Sequence, residues 1–338
     1  MKIRNFVSLV EQSSIIHSIV IVIAWIFLRV FFEGILEISH TAGYSRFSYQ
    51  ALLMYFVHFP LFYITTFLLI TVLLSIVLRE DIIRVTKITS IGTGLIILVP
   101  IIDHIISGGC FISYPARLEK YFLHFLNPFV SLTDIGVSIG QRITIFLICV
   151  FAALYGYLKN ARIMKAIFVF FIVLLAILFS GALTTIIACN RPETLYVTGG
   201  ILKTDTQKLS AIYVLFFVII FFVYLFIFDK KNFQLLISSM RVERMAFYGG
   251  LGVAGFILAG HQSGIIYKVD FWGLCVILLI FLCGGFGFWA LQILNDFFDL
   301  RSDAISRARN PINRGIREKY YFLAGLCFSL ITLIFSAI

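Results

Sequence analysis

Residues 209–228 read LSAIYVLFFVIIFFVYLFIF, a run with no charged side chain, bounded by Lys208 and Asp229. A helix rises about 1.5 Å per residue, so a run of this length crosses the roughly 30 Å hydrocarbon core of a bilayer. The same criterion marks eight further stretches, at about 15–36, 50–78, 88–107, 141–158, 165–188, 245–266, 271–295 and 319–338. The pattern predicts an all-α integral membrane protein with about nine transmembrane helices. The first stretch is too long for a cleavable signal peptide and has no small-residue cleavage site.

Composition agrees with that reading. Of 338 residues, 61% are hydrophobic and 13% charged, and mean hydropathy is +1.02. An ordinary globular chain has roughly 45–50% apolar and 25% charged residues. A compact soluble fold cannot cover itself with so few polar side chains, and disorder requires low hydrophobicity. Net charge is +10. A nucleic-acid footprint needs clustered basic residues on a soluble surface, so no nucleic acid is expected as a partner; the lipid bilayer is.

Charge instead sets orientation. With the N-terminus cytoplasmic, 18 of the 27 Lys and Arg residues fall in cytoplasmic segments and eight in outer ones, with Arg29 inside the first span. This bias predicts a cell (inner) membrane protein with its C-terminus outside. Residues 122–138 (FLHFLNPFVSLTDIGVS) are apolar but contain Asn127-Pro128 and Thr133-Asp134. Counting them as a span would reverse every later loop, so a re-entrant or interfacial segment is expected there.

The six cysteines are scattered without a CxxC pair, which excludes the usual zinc and redox motifs. Cys110 and Cys189 fall near the same outer face, where a disulfide is conceivable. Glu33, Glu37, His40, Asp103 and His104 also cluster near that face, as loop ends or as a metal or proton site. Arg29 can snorkel, or pair with Glu33 one turn later.

Asn295 to Lys319 reads NDFFDLRSDAISRARNPINRGIREK. Asp296, Asp299 and Asp303 stand at i, i+3 and i+7, which at 100° per residue places them on one helical face about 60° wide. Asn295 lies beside that arc. Stacked carboxylates at a helix C-terminus repel one another and oppose the macrodipole, and nearby lipid makes unpaired charge dearer. A divalent cation relieves all three, and an all-oxygen donor set suits Mg²⁺. The arginines that follow suit phosphate. Acids that hold metal beside bases that hold phosphate make a candidate diphosphate site.

Asn295-Asp296-x-x-Asp299-x-x-x-Asp303 resembles the first aspartate-rich motif of the UbiA superfamily of intramembrane prenyltransferases. Asn310-Pro311-x-x-Arg314-Gly315 resembles the basic segment that follows it there, and Arg241, Arg244 and the glycine-rich run 249–260 resemble the family's first helix. The resemblance covers residues 241–338. It implies Mg²⁺-dependent transfer of a prenyl group from a polyprenyl diphosphate to a hydrophobic acceptor, aromatic or lipid. Asp296, Asp299 and Asp303 would be catalytic and, with Asn295, would hold the metal; Asn295, Arg307, Arg309 and Arg314 would bind the diphosphate. Phosphoribosyl transfer to a polyprenyl phosphate uses the same motif. A non-enzymatic membrane carrier, scaffold or inactive fragment is the alternative from another class. The family has nine helices and a second acidic motif. Here three helices resemble it, so the region reads as truncated, and a separate chain is a candidate to supply the rest. Residues 1–240 form a six-span module that the resemblance does not reach.

Overall fold

The computed structural model describes residues 2–36, 49–108, 118, 125, 137–187, 202, 204–262, 271–300 and 310–338. Among them there is no strand. The helices are α1 (Lys2–Gln12), α2 (Ile15–Leu36), α3 (Tyr49–Leu78), α4 (Ile82–Ser107), α5 (Ile139–Asn160), α6 (Ile163–Ile187), α7 (Asp205–Phe228), α8 (Lys230–Ser239), α9 (Val242–Gln262), α10 (Phe271–Phe298) and α11 (Glu318–Ala337). All but α1 and α8 are long and apolar enough to cross a membrane, nine among the described residues. The chain is a multi-pass α-helical membrane protein. Most of 122–138, with Glu37, His40, Cys110 and Cys189, lies outside the described residues.

Local chemistry explains where these helices start, bend and stop. Ser138 with Gln141 and Thr204 with Gln207 form reciprocal capping boxes that open α5 and α7, satisfying otherwise orphaned N–H groups. Arg79 and Ala161 close α3 and α5 in the left-handed conformation, with φ of 56° and 52°. Two spans carry an internal irregularity, a π-helical turn at Met54–His58 in α3 and a 3-10 turn at Thr93–Ile97 in α4. Each contains the residue four before a proline, Phe56 before Pro60 and Ile96 before Pro100. A proline ring clashes with the carbonyl four residues back and donates no hydrogen bond to it, so the helix rewinds locally.

The chain divides into two compact units, the first holding Met1–Val197 with Ile219–Tyr224 and the second Thr198–Val218 with Leu225–Ile338. The 240/241 boundary drawn from the resemblance falls inside the second unit.

In the first unit, Leu74, Leu78, Val85, Cys149, Tyr155, Val169 and Val173 make a buried core. Gly156 lets α5 approach α6 closely, since a Cβ there would lie 3.1 Å from Val169 Cγ2. Helix α1 is too short to span a membrane. Its Val7 packs on that core, while the carboxylate of Glu11 accepts hydrogen bonds from Tyr155 Oη (3.0 Å) and Lys159 Nζ (2.9 Å). Ile3, Phe6 and Leu9 stay exposed on its other side. Two buried charged side chains in α2 and α4 have partners. Arg29 donates to Glu33 at 2.9 Å with its side chain 1% exposed, which answers the choice between snorkelling and pairing. Asp103, also 1% exposed, accepts from Ser138 Oγ (2.6 Å) and the Gly140 N–H (2.8 Å). His104 is exposed.

In the second unit, α10 lies between α9 and α11 in two close, small-residue seams. On one side a Cβ at Gly249 would meet the Phe281 carbonyl at 2.6 Å, and one at Gly284 would meet the Tyr248 carbonyl at 2.8 Å. On the other, Gly325 faces Ile293, and Trp289 stacks on Phe328 with ring centroids 4.2 Å apart. Lipid supplies no hydrophobic drive between helices, so this van der Waals contact holds the seams together.

Candidate functional site

The acidic motif occupies the end of α10. That helix finishes at Phe298 and Asp299 follows in a turn, its N–H bonded to the Asn295 carbonyl at 2.9 Å. Asn295 is exposed and Asp299 half-buried, and the Asn295 carboxamide donates to the Asp299 carboxylate. These two side chains share the outward face, as an i,i+4 spacing requires.

Asp296 lies differently. It is 4% exposed, and its carboxylate accepts a 2.6 Å hydrogen bond from Tyr321 Oη on α11. The azimuthal step of about 60° from Asp299 is enough to turn it from the open face into the helix seam. Its backbone carbonyl accepts from Asn310 Nδ2 at 2.8 Å. Asp303, Arg307 and Arg309 lie outside the described residues.

Residues 310–317 form a pinned turn. Asn310 is 2% exposed, and its Oδ1 accepts from the Ile312 N–H at 3.0 Å. Pro311 and Ile312 carbonyls accept from Arg314 and Gly315. Gly315 takes φ of 91°, a conformation only glycine adopts without strain. At the far end the Arg317 N–H donates to Asn232 Oδ1 (2.9 Å), and its guanidinium lies 3.5 Å from Asp229. Arg314 therefore stands exposed on an ordered loop at the end of α10 that carries Asn295 and Asp299.

Helix α8 braces this assembly. Asp229 caps it through the Asn232 N–H (3.1 Å) and also accepts from Asn232 Nδ2 (2.6 Å). Gln292 Nε2 donates to the Ser239 carbonyl at its far end (2.8 Å). Partial burial works against the Asp229 charge. The Asn232 hydrogen bonds, the Arg317 guanidinium and the Lys231 amide outweigh it, and hold the carboxyl below the usual carboxylate range.

Hard oxygen donors at Asn295 and Asp299 suit a divalent cation, and Arg314 suits a phosphate oxygen. The described residues contain no group of three or more His, Cys, Asp or Glu side chains that could hold a metal ion. Tyr321 and Asn232 were not singled out in the sequence. A tyrosine hydroxyl in an apolar helix needs a partner, and that need is the sequence signal by which Tyr321 could have been found.

Comparison with protein-family models, with curated proteins and with solved structures finds no match in any of the three.

Proposed function

We propose that this chain is an integral-membrane transferase of the UbiA type that acts on a polyprenyl diphosphate with Mg²⁺. The observation that carries the reading is the pairing of Asn295 with Asp299 on the open face of α10, at the end where the pinned turn presents Arg314. Asn295 and Asp299, joined by Asp303, would hold the ion, which neutralises charge on the diphosphate as it leaves. Arg314, with Arg307 and Arg309, would bind diphosphate oxygens and offset the charge that builds there as the allylic C–O bond breaks. Asp296 serves by anchoring α11 and the 310–317 turn rather than by facing substrate. The excess of basic residues in alternate loops supports a cell-membrane location with the N-terminus and this motif cytoplasmic and the C-terminus outside. A hydrophobic acceptor, aromatic or lipid, completes the proposed system.

Calorimetric titration of the purified protein with geranylgeranyl diphosphate tests the binding step. Binding is expected to require Mg²⁺ and to weaken at least about tenfold in Asp299→Asn and in Arg314→Gln, as loss of a charged contact predicts. Binding that survives both EDTA and Asp299→Asn overturns the assignment. Offering phosphoribosyl diphosphate with a polyprenyl phosphate in parallel separates the two donor chemistries.

A further inference from the structure

We propose that the α5–α6 hairpin of the first unit binds one anionic phospholipid, with an acyl chain in a groove along the hairpin and the phosphate at its turn. The groove has a volume of about 280 Å³ and an apolar lining. Ala153 and Ala166 open it, because their short side chains leave space between Tyr157 and Ile163 at one end and Phe170 and Phe171 at the other. It faces outward: Tyr157, Ile163 and Phe171 are 42%, 67% and 54% exposed. In a membrane-spanning hairpin that side meets lipid tails. From Ile163 to Phe171 the helix rises about 12 Å, so the groove runs from the hairpin turn into the hydrocarbon.

The turn supplies the charge. Ala161 reverses the chain in the left-handed conformation, with its N–H on the Tyr157 carbonyl at 2.7 Å. Arg162 follows it and is exposed. Lys165 Nζ donates to Asn160 Oδ1 at 2.8 Å, which holds the ammonium at the hairpin turn. Nearby Lys159 is already neutralised, 2.7 Å from Glu11 and 3.7 Å from Glu80. Among the described residues neither Arg162 nor Lys165 forms an ion pair. Two cations without an ion pair at the hairpin turn, where the apolar groove begins at Tyr157 and Ile163, match a phosphate at the head of an acyl chain. A zwitterionic lipid would bring its own cation toward them and lose most of the attraction.

Native mass spectrometry of the full chain, released from micelles doped equally with phosphatidylglycerol and phosphatidylcholine of matched chain length, tests this. Retained phosphatidylglycerol is expected to exceed phosphatidylcholine about tenfold, from two basic groups at the surface. The Arg162→Gln/Lys165→Gln double variant, altered only at the turn, should bring the two to parity. Ala166→Phe should fill the groove and abolish retention of both, with helicity checked by circular dichroism. Parity in the unaltered chain, or a preference that survives the double variant, overturns the proposal, as does full retention in Ala166→Phe. The site lies in the first unit, so these outcomes are independent of prenyl diphosphate binding.

Discussion

The Tyr321 hydroxyl donates a 2.6 Å hydrogen bond to the Asp296 carboxylate, joining α11 to the last turn of α10 where both side chains are buried. An aspartate within an acidic motif is thereby committed to helix packing, while Asn295 and Asp299 take the open face. Tyr321→Phe removes this hydrogen bond to a buried carboxylate. The expected loss is about 1–3 kcal/mol, read as a lowered midpoint in thermal unfolding in detergent. Asp296→Asn keeps an acceptor oxygen for Tyr321 and should lose less. A Tyr321→Phe protein as stable as the native chain would mean that the hydrogen bond contributes nothing.

The α9–α10 seam should be intolerant of a single methyl group. At Gly249 the added Cβ would lie 2.6 Å from the Phe281 carbonyl, a backbone atom that cannot rotate away. Gly249→Ala is expected to destabilise by about 1–3 kcal/mol, the usual cost of overpacking. Gly250 and Gly255 meet nothing within 4 Å, so alanine there should be neutral or mildly stabilising. Melting curves of the three variants, measured side by side, check the contrast.

Asp229 sets a pH dependence at the edge of the second unit. Its carboxyl is held below the ordinary value by Asn232 and Arg317. A carboxyl lowered in the folded state stabilises the fold above its unfolded value, and that contribution fades as falling pH protonates it. Asp229→Ala also removes the cap of α8. The stability gap between the native chain and this variant should be full above about pH 5 and shrink as pH falls below the usual carboxylate range near 3.9. A gap that stays constant down to about pH 2 would show that the charge plays no part.

Asp103 should be among the costliest positions in the first unit. It accepts from Ser138 Oγ and from the Gly140 N–H, at the N-terminus of α5. Asp103→Ala leaves both donors buried without this acceptor, with an expected loss of about 2–4 kcal/mol for two buried hydrogen bonds. Gly140→Ala adds a Cβ 2.5 Å from the Val99 carbonyl and should destabilise by overpacking instead. Denaturation in detergent ranks these variants; an Asp103→Ala protein as stable as the native chain would exclude the capping role.

Spans such as 209–228 are legible because one solvent, the hydrocarbon core, selects for length and apolarity together. The caps at Ser138 and Thr204 and the Arg29–Glu33 pair are local as well, set by residues within four positions of each other. Helix α1 escapes a span criterion because it is short and two-sided. Its place depends on Glu11 meeting Lys159, far along the chain.

The acidic motif shows the same division at the scale of one turn. Spacing along NDFFD puts Asn295, Asp296 and Asp299 within reach of one site, and the sequence alone carries that much, together with the helical, membrane-spanning character of the chain. Asp296 leaves that set because Tyr321 comes from another helix, and the approach of that helix depends on Gly325 lying against Ile293. Helical periodicity is a property of neighbouring residues, whereas burial belongs to the packed ensemble. A rotation of about 60° around α10 separates an open carboxylate from a sealed one, and the position of α11 determines which residue is sealed.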